Sequence, residues 1–238
     1  MTIQAFTLPF EDLLLNGATI GADAEHPPVV MSVHGGGTAR HTGVHYLMQP
    51  LAEAGLPGVT FDFSGHGGSS GSVEGSGLAH RVAQARAVAD QLALRPPLAL
   101  IGTSMGGHIA CRLIEHFQPP ALVLFCPAAY SAEAETVPFG PAFQQVLRGT
   151  EDFHASPAFD ALEIFEGRLL LVFGDEDAVI PAAVQQQYAE RARNARSVEL
   201  IRLPGAPHRL HGWLDGETQA AARQQVIGRM LATLARSA

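Results

Sequence analysis

One short stretch, Ile101–Gly107, constrains the fold of this chain more than any other part of its sequence. An apolar run precedes it and a pattern of helical period follows it, so it joins a predicted strand to a predicted helix. Its serine, Ser104, has a glycine two positions away on either side, at Gly102 and Gly106. Glycines at these places let the backbone pass close to its neighbours while the serine hydroxyl stands clear of the sheet. The stretch therefore predicts a sharp strand-to-helix turn with an exposed serine.

The turn has two interpretations. A G-x-S-x-G sequence between a strand and a helix is typical of a nucleophilic serine, which the free N–H groups of the new helix would face. The alternative is a glycine-rich turn whose serine only caps the helix. Other residues at the same edge of the sheet are needed to choose between the two.

Strand patterns and helix patterns alternate along most of the chain. Largely apolar runs at 29–33, 121–126 and 168–173 predict strands buried on both faces. Apolar residues at helical spacing over 77–94 and 216–234 predict amphipathic helices. Further strands are predicted at 59–63, 97–100 and 198–203, and further helices at 42–55 and 181–194. This alternation predicts an α/β fold with a mostly parallel, doubly wound sheet and helices on both of its faces.

The first 21 residues predict a β-hairpin before the alternation begins. Strand candidates lie at 4–8 and 12–15, with a third piece at 18–21, and Pro9 and Asn16-Gly17 separate them. Because Asn-Gly favours a two-residue hairpin turn, we expect the turn at Asn16-Gly17.

A glycine cluster, His34-Gly35-Gly36-Gly37, follows the buried strand at 29–33. A glycine loop at the end of a central strand can turn its N–H groups toward a developing oxyanion, because no side chain keeps the backbone away from the substrate. The alternative is an ordinary connection from a strand to a helix. A serine turn about 70 residues further on favours the functional interpretation.

An acid and a base are predicted at the same edge of the sheet. A nucleophilic serine needs a neutral imidazole to take its proton, and the imidazole needs a carboxylate to fix its tautomer. Asp177 and His208 both come just after predicted strands, and the C-terminal ends of parallel strands meet at one edge. Asp175 and His211 remain alternatives, although strand-end position and motif spacing favour Asp177 and His208. Along the chain the three candidates come in the order serine, acid, histidine. One known topology of alternating strands and helices carries its catalytic residues in this order.

The segment Asp62-Phe63-Ser64-Gly65-His66-Gly67-Gly68-Ser69 carries a resemblance. It is similar to the D-x-R-G-x-G-x-S signature of monoglyceride lipases, serine aminopeptidase-like hydrolases and microbial feruloyl esterases, except that Ser64 stands where many members carry arginine. Over nearly its full length the chain resembles the α/β-hydrolase superfamily. That resemblance implies an eight-stranded sheet, with Ser104 as nucleophile, Asp177 as acid and His208 as base.

The resemblance also implies an oxyanion hole. Members of the superfamily use the N–H group after the nucleophile, which is that of Met105, and one from the loop after His-Gly, which is that of Gly36. Gly37 is a possible helper, because lipases of the H-G-G-G type resemble this loop.

The regular alternation breaks between 128 and 160. Prolines and phenylalanines are scattered through these residues, with one short helical pattern at 142–147. We expect a single domain over 1–238 with a short cap insertion at about 128–160, and we expect His34, Phe139 and Phe143 to contact the substrate. The alternative is a surface excursion that buries its own phenylalanines.

Composition excludes several classes of protein. The net charge is −8 without a basic run, which argues against nucleic acid as a partner, and no apolar run is long enough to span a membrane. All 15 basic residues are arginine, so no lysine is available for Schiff-base chemistry or a phosphate loop. The N-terminus has no signal-peptide pattern, and Cys111 and Cys126 lie in apolar segments without a disulfide framework. These features predict a cytoplasmic protein.

We expect neither a metal nor a cofactor. No dinucleotide fingerprint occurs, and His41 and His45 have no acidic or cysteine ligand at a recognisable spacing, so we expect them to be exposed polar residues. We further expect Asp62 to hold its glycine turn through backbone N–H groups and His108 to be structural or to line the pocket.

The sequence thus favours a serine hydrolase of small-molecule carboxylic esters that works through an acyl-enzyme. Acyl transfer and hydrolysis of thioesters or amides remain open, because a triad does not choose the leaving group. The alternative from a different functional class is a protein that binds a small molecule on this fold without catalysing a reaction. The sequence does not distinguish a monomer from a homodimer.

Overall fold

The structure is a computed structural model that describes residues 2–94, 97–150 and 152–235. The described residues form one eight-stranded sheet: β1 (Ile3–Phe10), β2 (Leu13–Ile20), β3 (Val30–Val33), β4 (Gly58–Phe61), β5 (Ala99–Thr103), β6 (Ala121–Phe125), β7 (Arg168–Gly174) and β8 (Ser197–Leu203). They also form nine α-helices: α1 (His45–Glu53), α2 (Leu78–Gln91), α3 (Met105–Arg112), α4 (Ile114–Phe117), α5 (Pro141–Gly149), α6 (Pro157–Glu163), α7 (Ala182–Arg191), α8 (Leu210–Leu214) and α9 (Ala220–Leu234). Short 3₁₀ turns lie at His41–Val44, Ala132–Thr136 and Glu217–Gln219.

The strand order is β1-β2-β4-β3-β5-β6-β7-β8. The six strands from β4 to β8 in this order pair in parallel with one another, whereas β2 is antiparallel to both β1 and β4. The mostly parallel, eight-stranded sheet is therefore confirmed. Parallel pairing brings the C-terminal ends of β3 to β8 to a common edge, where ligand sites of such sheets lie.

The core lies between the central strands and helices on both faces. Every residue of β3, β4 and β6 is buried, which accounts for their largely apolar sequences, interrupted only by Ser32 in β3 and Thr60 in β4. On one face α9 packs on β6 and β7 and contacts α1, and on the other α3 packs on β5 between α2 and α6. The strands at the two ends of the order, β1 and β8, leave alternate residues exposed.

The N-terminal hairpin differs from the prediction. β2 runs without a break through Asn16-Gly17, and the turn lies at Glu11-Asp12, where Glu11 has a φ of 54°. Asn16 is fixed inside the sheet, because its N–H donates to Ser69 Oγ at 2.9 Å. The expected turn at Asn16-Gly17 was thus wrong, since contacts with a distant loop overrode the local preference for a turn. Pro9 is tolerated because β1 is an edge strand.

The segment 128–160 contains more helix than the sequence indicates. The described part holds the 3₁₀ turn at Ala132–Thr136, helix α5 and the start of α6. Glu135 ties the segment to the main body, because it accepts hydrogen bonds from His108 Nε2 and Arg112 Nε, each at 2.9 Å. His108 is fully buried. Of the two roles expected for it, structural or pocket-lining, it has the structural one.

Within the described residues, no helix has both the length and the apolar character needed to cross a membrane.

Candidate active site

Ser104 occupies a strained turn between β5 and α3. Its φ of 51° and ψ of −116° lie in a region that side-chain-bearing residues rarely adopt. Hydrogen bonds hold this conformation: the Ser104 N–H donates to the Phe125 carbonyl at 2.9 Å, and the Ser104 carbonyl accepts from Gly107 at 2.8 Å and Ala128 at 3.0 Å. Because the surrounding backbone fixes the turn, the strain persists at the exposed edge of the sheet.

The two glycines of the motif are required by close backbone contacts. A Cβ atom added to Gly102 would lie 2.5 Å from the Gly106 carbonyl oxygen, and one added to Gly106 would lie 2.2 Å from the Val33 carbonyl oxygen. Real Cβ atoms do not approach backbone atoms so closely, so neither position accepts a side chain without a backbone shift.

His208 links Ser104 to Asp177. Its Nε2 lies 3.1 Å from Ser104 Oγ, and its Nδ1 lies 3.0 Å from Asp177 Oδ2. A carboxylate only accepts hydrogen bonds, so Nδ1 donates to Asp177 and the Nε2 of a neutral ring is left to accept from the serine hydroxyl. The Asp177 side chain is 0% exposed and that of His208 is 18% exposed. Of the two side chains, only the imidazole is therefore accessible from outside the protein.

Asp177 is held in its ionised form. Its Oδ1 accepts the N–H groups of Val179 at 2.9 Å and Ile180 at 3.0 Å. Burial on its own raises the pKa of Asp177, but the hydrogen bonds from His208, Ile180, Cys126 and Val179 outweigh it and lower the pKa below the ordinary value.

The two alternative residues are engaged elsewhere. Asp175 Oδ1 accepts from the Gly205 N–H at 2.6 Å, and Asp175 is exposed. His211 Nε2 lies 2.7 Å from Thr103 Oγ1, and its Nδ1 lies 3.1 Å from the Tyr46 hydroxyl. Neither residue therefore occupies the place that the structure gives to Asp177 or His208.

The three predicted oxyanion-hole residues lie around the serine. Gly36, Gly37 and Met105 line the same cavity as Ser104. Met105 is the first residue of α3, so its N–H has no carbonyl partner within the helix. A Cβ atom on Gly35 would lie 3.3 Å from Ser104 Cβ, which shows how closely the glycine loop passes the serine.

His34 lines the cavity, but the protein fixes its ring. The Nδ1 atom lies 2.6 Å from the Gly35 carbonyl oxygen, and Nε2 accepts from the Phe63 N–H at 3.0 Å. Because a backbone N–H can only donate, Nε2 is unprotonated and the ring is neutral. Burial lowers the pKa of His34 to about 3, which agrees with a neutral ring that braces the glycine loop.

The cavity around Ser104 has a volume of about 480 Å³. Besides the residues already named, it is lined by Ser32, Thr38, Ala39, Arg40, His41, Gly43, Val44, Tyr130, Val179, Arg209, Leu210 and Gly212. Phe139 and Phe143, which we expected to contact the substrate, are not part of this lining. They pack on each other with ring centroids 4.8 Å apart, and Phe143 packs on Tyr130 at 5.6 Å. Among the described residues, Tyr130 is therefore the tyrosine that lines the cavity, where we had expected the two phenylalanines.

Sequence reasoning missed Tyr130 and the network of His211. Tyr130 follows the end of β6 by five positions, so the strand-end rule that located Asp177 gave a usable signal for it. The contacts of His211 with Thr103 and Tyr46 join three distant parts of the chain and leave no sequence signal.

Two expectations about polar side chains have different outcomes. His41 and His45 are partly buried instead of exposed, because both contact Thr60 Oγ1, at 2.9 Å and 3.2 Å. The role of Asp62 is confirmed: its carboxylate accepts the N–H groups of His41 at 2.7 Å and Gly68 at 3.0 Å.

One group of ligand-type atoms is present in the described residues. A sulfur of Cys126, an oxygen of Asp177 and a nitrogen of His208 lie within 4.8 Å of one another, and zinc accepts these ligand types. Sequence spacing did not indicate this group because its members follow three different strands. Two of its members already hydrogen bond to each other.

The sheet, the strained serine turn and the glycine loop together define the class of this protein, which is the α/β-hydrolases. A family profile described as Serine aminopeptidase, S33 matches residues 24–156, and the chain belongs to this family. The resemblance seen in the sequence is thereby confirmed.

Curated relatives and solved structures extend the comparison. Uncharacterized proteins from two strains of Mycobacterium tuberculosis are 28% identical over 188 residues, and these matches cover 76% of this chain and 63% of theirs. The chain thus spans less than two thirds of the length of the curated relatives it matches.

Three solved structures illustrate the likeness of fold. Est1E from Butyrivibrio proteoclasticus, in a structure with bound ferulic acid, is 20% identical with a TM-score of 0.74, over 98% of this chain and 100% of that one. An esterase of Pyrococcus furiosus is 20% identical with a TM-score of 0.70, over 97% and 91%. A thioesterase domain from the curacin biosynthetic pathway is 20% identical with a TM-score of 0.67, over 95% and 99%. At these identities the likeness concerns the fold and does not identify a substrate.

Proposed function

We propose that this protein is a serine esterase that hydrolyses small-molecule carboxylic esters through an acyl-enzyme. The observation that carries the proposal is the line of hydrogen bonds from Asp177 through His208 to Ser104, with distances of 3.0 Å and 3.1 Å. A serine that only caps a helix has no reason to be paired with an imidazole that a buried carboxylate orients.

In the first half-reaction, Ser104 Oγ attacks the ester carbonyl carbon and its proton moves to His208 Nε2. The carbonyl oxygen becomes an oxyanion, which the N–H groups of Gly36 and Met105 stabilise with help from Gly37. The bond to the alcohol oxygen then breaks, and the leaving alcohol takes the proton from His208. Asp177 stays ionised throughout and stabilises the imidazolium.

In the second half-reaction, water attacks the acyl carbon of the acyl-enzyme while His208 Nε2 takes a proton from it. The same N–H groups stabilise the second oxyanion. The bond between the acyl carbon and Ser104 Oγ breaks, Oγ recovers a proton from His208, and the carboxylic acid leaves.

We further propose that the chain acts as one domain in which the segment 128–160 forms a short cap. Support comes from Tyr130, which belongs to this segment and lines the cavity of Ser104. The hydrogen bonds of Glu135 to His108 and Arg112 hold the segment over the helix that follows the serine.

The test of the proposed function is covalent capture of Ser104. A fluorophosphonate should react with the protein to give one adduct on the peptide that contains Ser104, with loss of ester hydrolysis in proportion to labelling. Ser104→Ala should abolish labelling and hydrolysis without unfolding the protein. The matched control is Ser156→Ala, because Ser156 also stands at the start of a helix, α6, and should leave labelling unchanged.

Absence of label in the wild-type protein, under conditions where an authentic serine hydrolase is labelled, would contradict the proposal. So would a Ser104→Ala protein that still hydrolyses esters at the wild-type rate.

A further inference from the structure

Arg81 is a buried cation that has no carboxylate partner among the described residues. It lies in the first turn of α2, and its side chain is 1% exposed. In the described part of the chain, the arginine–carboxylate pairs are formed by other arginines, and Arg81 Nε and Nη1 have no hydrogen-bond partner.

The groups that surround Arg81 leave its charge largely uncompensated. The guanidinium carbon lies 5.0 Å from the ring centroid of Phe63 and 4.7 Å from that of Phe139. The Nη2 atom lies 3.4 Å from His66 Nδ1. Burial lowers the pKa of Arg81 to about 10, so the guanidinium is still charged at neutral pH.

Two aromatic faces do not replace an anion. Cation–π contacts offset only part of the free energy lost when a cation leaves water, so an unpaired buried charge destabilises the folded protein. Buried donors in folded proteins are nearly always paired, so two unpaired nitrogens on one buried guanidinium call for an explanation. A bound anion supplies one, because a carboxylate matches the planar fork of arginine in a bidentate pair.

Arg81 lies next to the cavity of Ser104. Tyr130 lines that cavity, and a row of rings connects it to Arg81: its ring centroid lies 5.6 Å from that of Phe143, which lies 4.8 Å from that of Phe139, the ring that the guanidinium faces. The His66 ring, which contacts Arg81, lies 4.9 Å from the ring of His34, another residue of the cavity lining.

The two unpaired nitrogens of Arg81 therefore lie close to the residues that line the cavity. Among the described residues, no carboxylate pairs with this guanidinium.

We infer that Arg81 binds a carboxylate carried by the ester substrate, so that the enzyme prefers anionic esters to neutral ones. This inference rests on the proposed function and specifies its substrate class. The carboxylate pairs with Nε and Nη1, the two nitrogens without partners among the described residues, and because Arg81 is 1% exposed this pairing requires the aromatic side chains over the guanidinium to rearrange. Pairing with the buried guanidinium fixes the other end of the substrate at Ser104.

Matched pairs of esters test this preference. One pair carries the charge on the acyl side: the 4-nitrophenyl esters of glutarate, with a free carboxylate, and of glutaramic acid, with a neutral amide. The other pair carries it on the alcohol side: 4-carboxyphenyl butyrate and 4-carbamoylphenyl butyrate. We expect wild-type kcat/KM to favour the carboxylate in one pair by about 10- to 100-fold, and the responding pair identifies the side that Arg81 binds.

Variants assign the preference to Arg81. Arg81→Met should abolish the preference while kcat/KM for the neutral amide stays within a few-fold of wild type. The protein should be at least as stable as wild type, because an unpaired buried charge has been removed. Arg86→Met removes an exposed arginine from the same helix and should keep the full preference. If Arg81→Met does not fold, Arg81→Lys keeps the charge without the fork and should weaken the preference.

Direct binding separates this inference from the proposed esterase activity. Glutarate should raise the melting temperature of the Ser104→Ala protein, whereas sodium chloride at equal ionic strength should not, and Arg81→Met should remove the shift. Glutarate binding in a protein that hydrolyses no ester would refute the esterase and leave the anion site standing.

Several results would overturn the anion site. These are equal kcat/KM for carboxylate and amide in both pairs, a preference that survives Arg81→Met, or an equal loss of activity on carboxylate and amide. A glutarate shift that sulfate or chloride reproduces would also overturn it.

Discussion

Asp175 and Asp177 are two positions apart in the sequence, yet their carboxylates have different partners. Asp177 binds His208 and two backbone N–H groups, whereas within the described residues Asp175 accepts a hydrogen bond from the Gly205 N–H. The two carboxylates therefore have different partners, so the direction of the side chain, and not its position along the chain, is what favours Asp177 as the proposed acid.

Asp177→Asn should lower kcat by on the order of 10⁴-fold, because the amide removes the negative charge and favours the wrong imidazole tautomer. The hydrogen bonds to Val179 and Ile180 can be kept by the amide oxygen, so the fold should survive. Steady-state kinetics on an activated ester, together with circular dichroism, would measure both effects.

Asp175→Asn is the matched control and should change kcat by no more than a few-fold. Its side chain is exposed and its single partner is a backbone N–H that an amide oxygen also accepts. If Asp175→Asn proved the more damaging of the two, the acid would have to be reassigned to Asp175.

The elements that carry the site depend on close backbone packing as much as on side chains. At the serine turn, β5 and α3 meet β3 so closely that Gly106 has no room for a Cβ atom. The predicted need for glycine at this position agrees with the contact distances, because a turn this sharp brings three backbones together.

Gly106→Ala should lower the free energy of unfolding by about 1–3 kcal/mol. The added Cβ atom would lie 2.2 Å from the Val33 carbonyl oxygen and 2.6 Å from the His34 carbonyl oxygen, and backbone atoms cannot yield cheaply. A shift of this loop would also move the glycine loop that follows His34, so ester hydrolysis should fall too. Urea unfolding and kinetics on the same sample would measure the two losses.

Gly228→Ala provides the control at this scale. Gly228 lies in α9, is exposed and has no atom within 4 Å of an added Cβ, so alanine should raise the free energy of unfolding by up to about 1 kcal/mol. Equal effects of the two substitutions on the free energy of unfolding would mean that the backbone at the serine turn is packed less closely than these distances indicate.

The response to acid is a property of the whole molecule. Buried histidines contribute to how the free energy of unfolding changes with pH. The pKa of His34 falls from an ordinary 6.5 to about 3 on burial, so between these values the unfolded chain binds a proton that the folded chain does not. Stability therefore rises with pH in this window and is lost as the pH falls from about 6.5 toward 3. Burial also lowers the pKa of His108 and His211, which adds to the same trend.

His34→Gln should flatten the dependence of the unfolding free energy on pH between about 6.5 and 4, by up to about 1.4 kcal/mol per pH unit. Urea unfolding at a series of pH values would measure the slope. His154→Gln changes an exposed histidine and should leave the slope as in the wild type. An unchanged slope in His34→Gln would show that His34 takes up its proton without unfolding.

The sequence by itself determined the alternation of strands and helices, the serine turn and the strand ends that carry Asp177 and His208. Each of these rests on local physics: apolar periodicity, the freedom of glycine and the rule that parallel strands end at one edge. Local patterns were therefore sufficient to predict the fold class and to place the proposed catalytic residues near one another.

Tertiary structure decided what depends on contacts between distant segments. It moved the hairpin turn from Asn16-Gly17 to Glu11-Asp12, because Asn16 is held by Ser69. It placed Tyr130 in the cavity where Phe139 and Phe143 were expected, and it buried Arg81 with no carboxylate partner among the described residues. Burial and partnership are properties of the assembled core, so no pattern of neighbouring residues in the sequence could determine them.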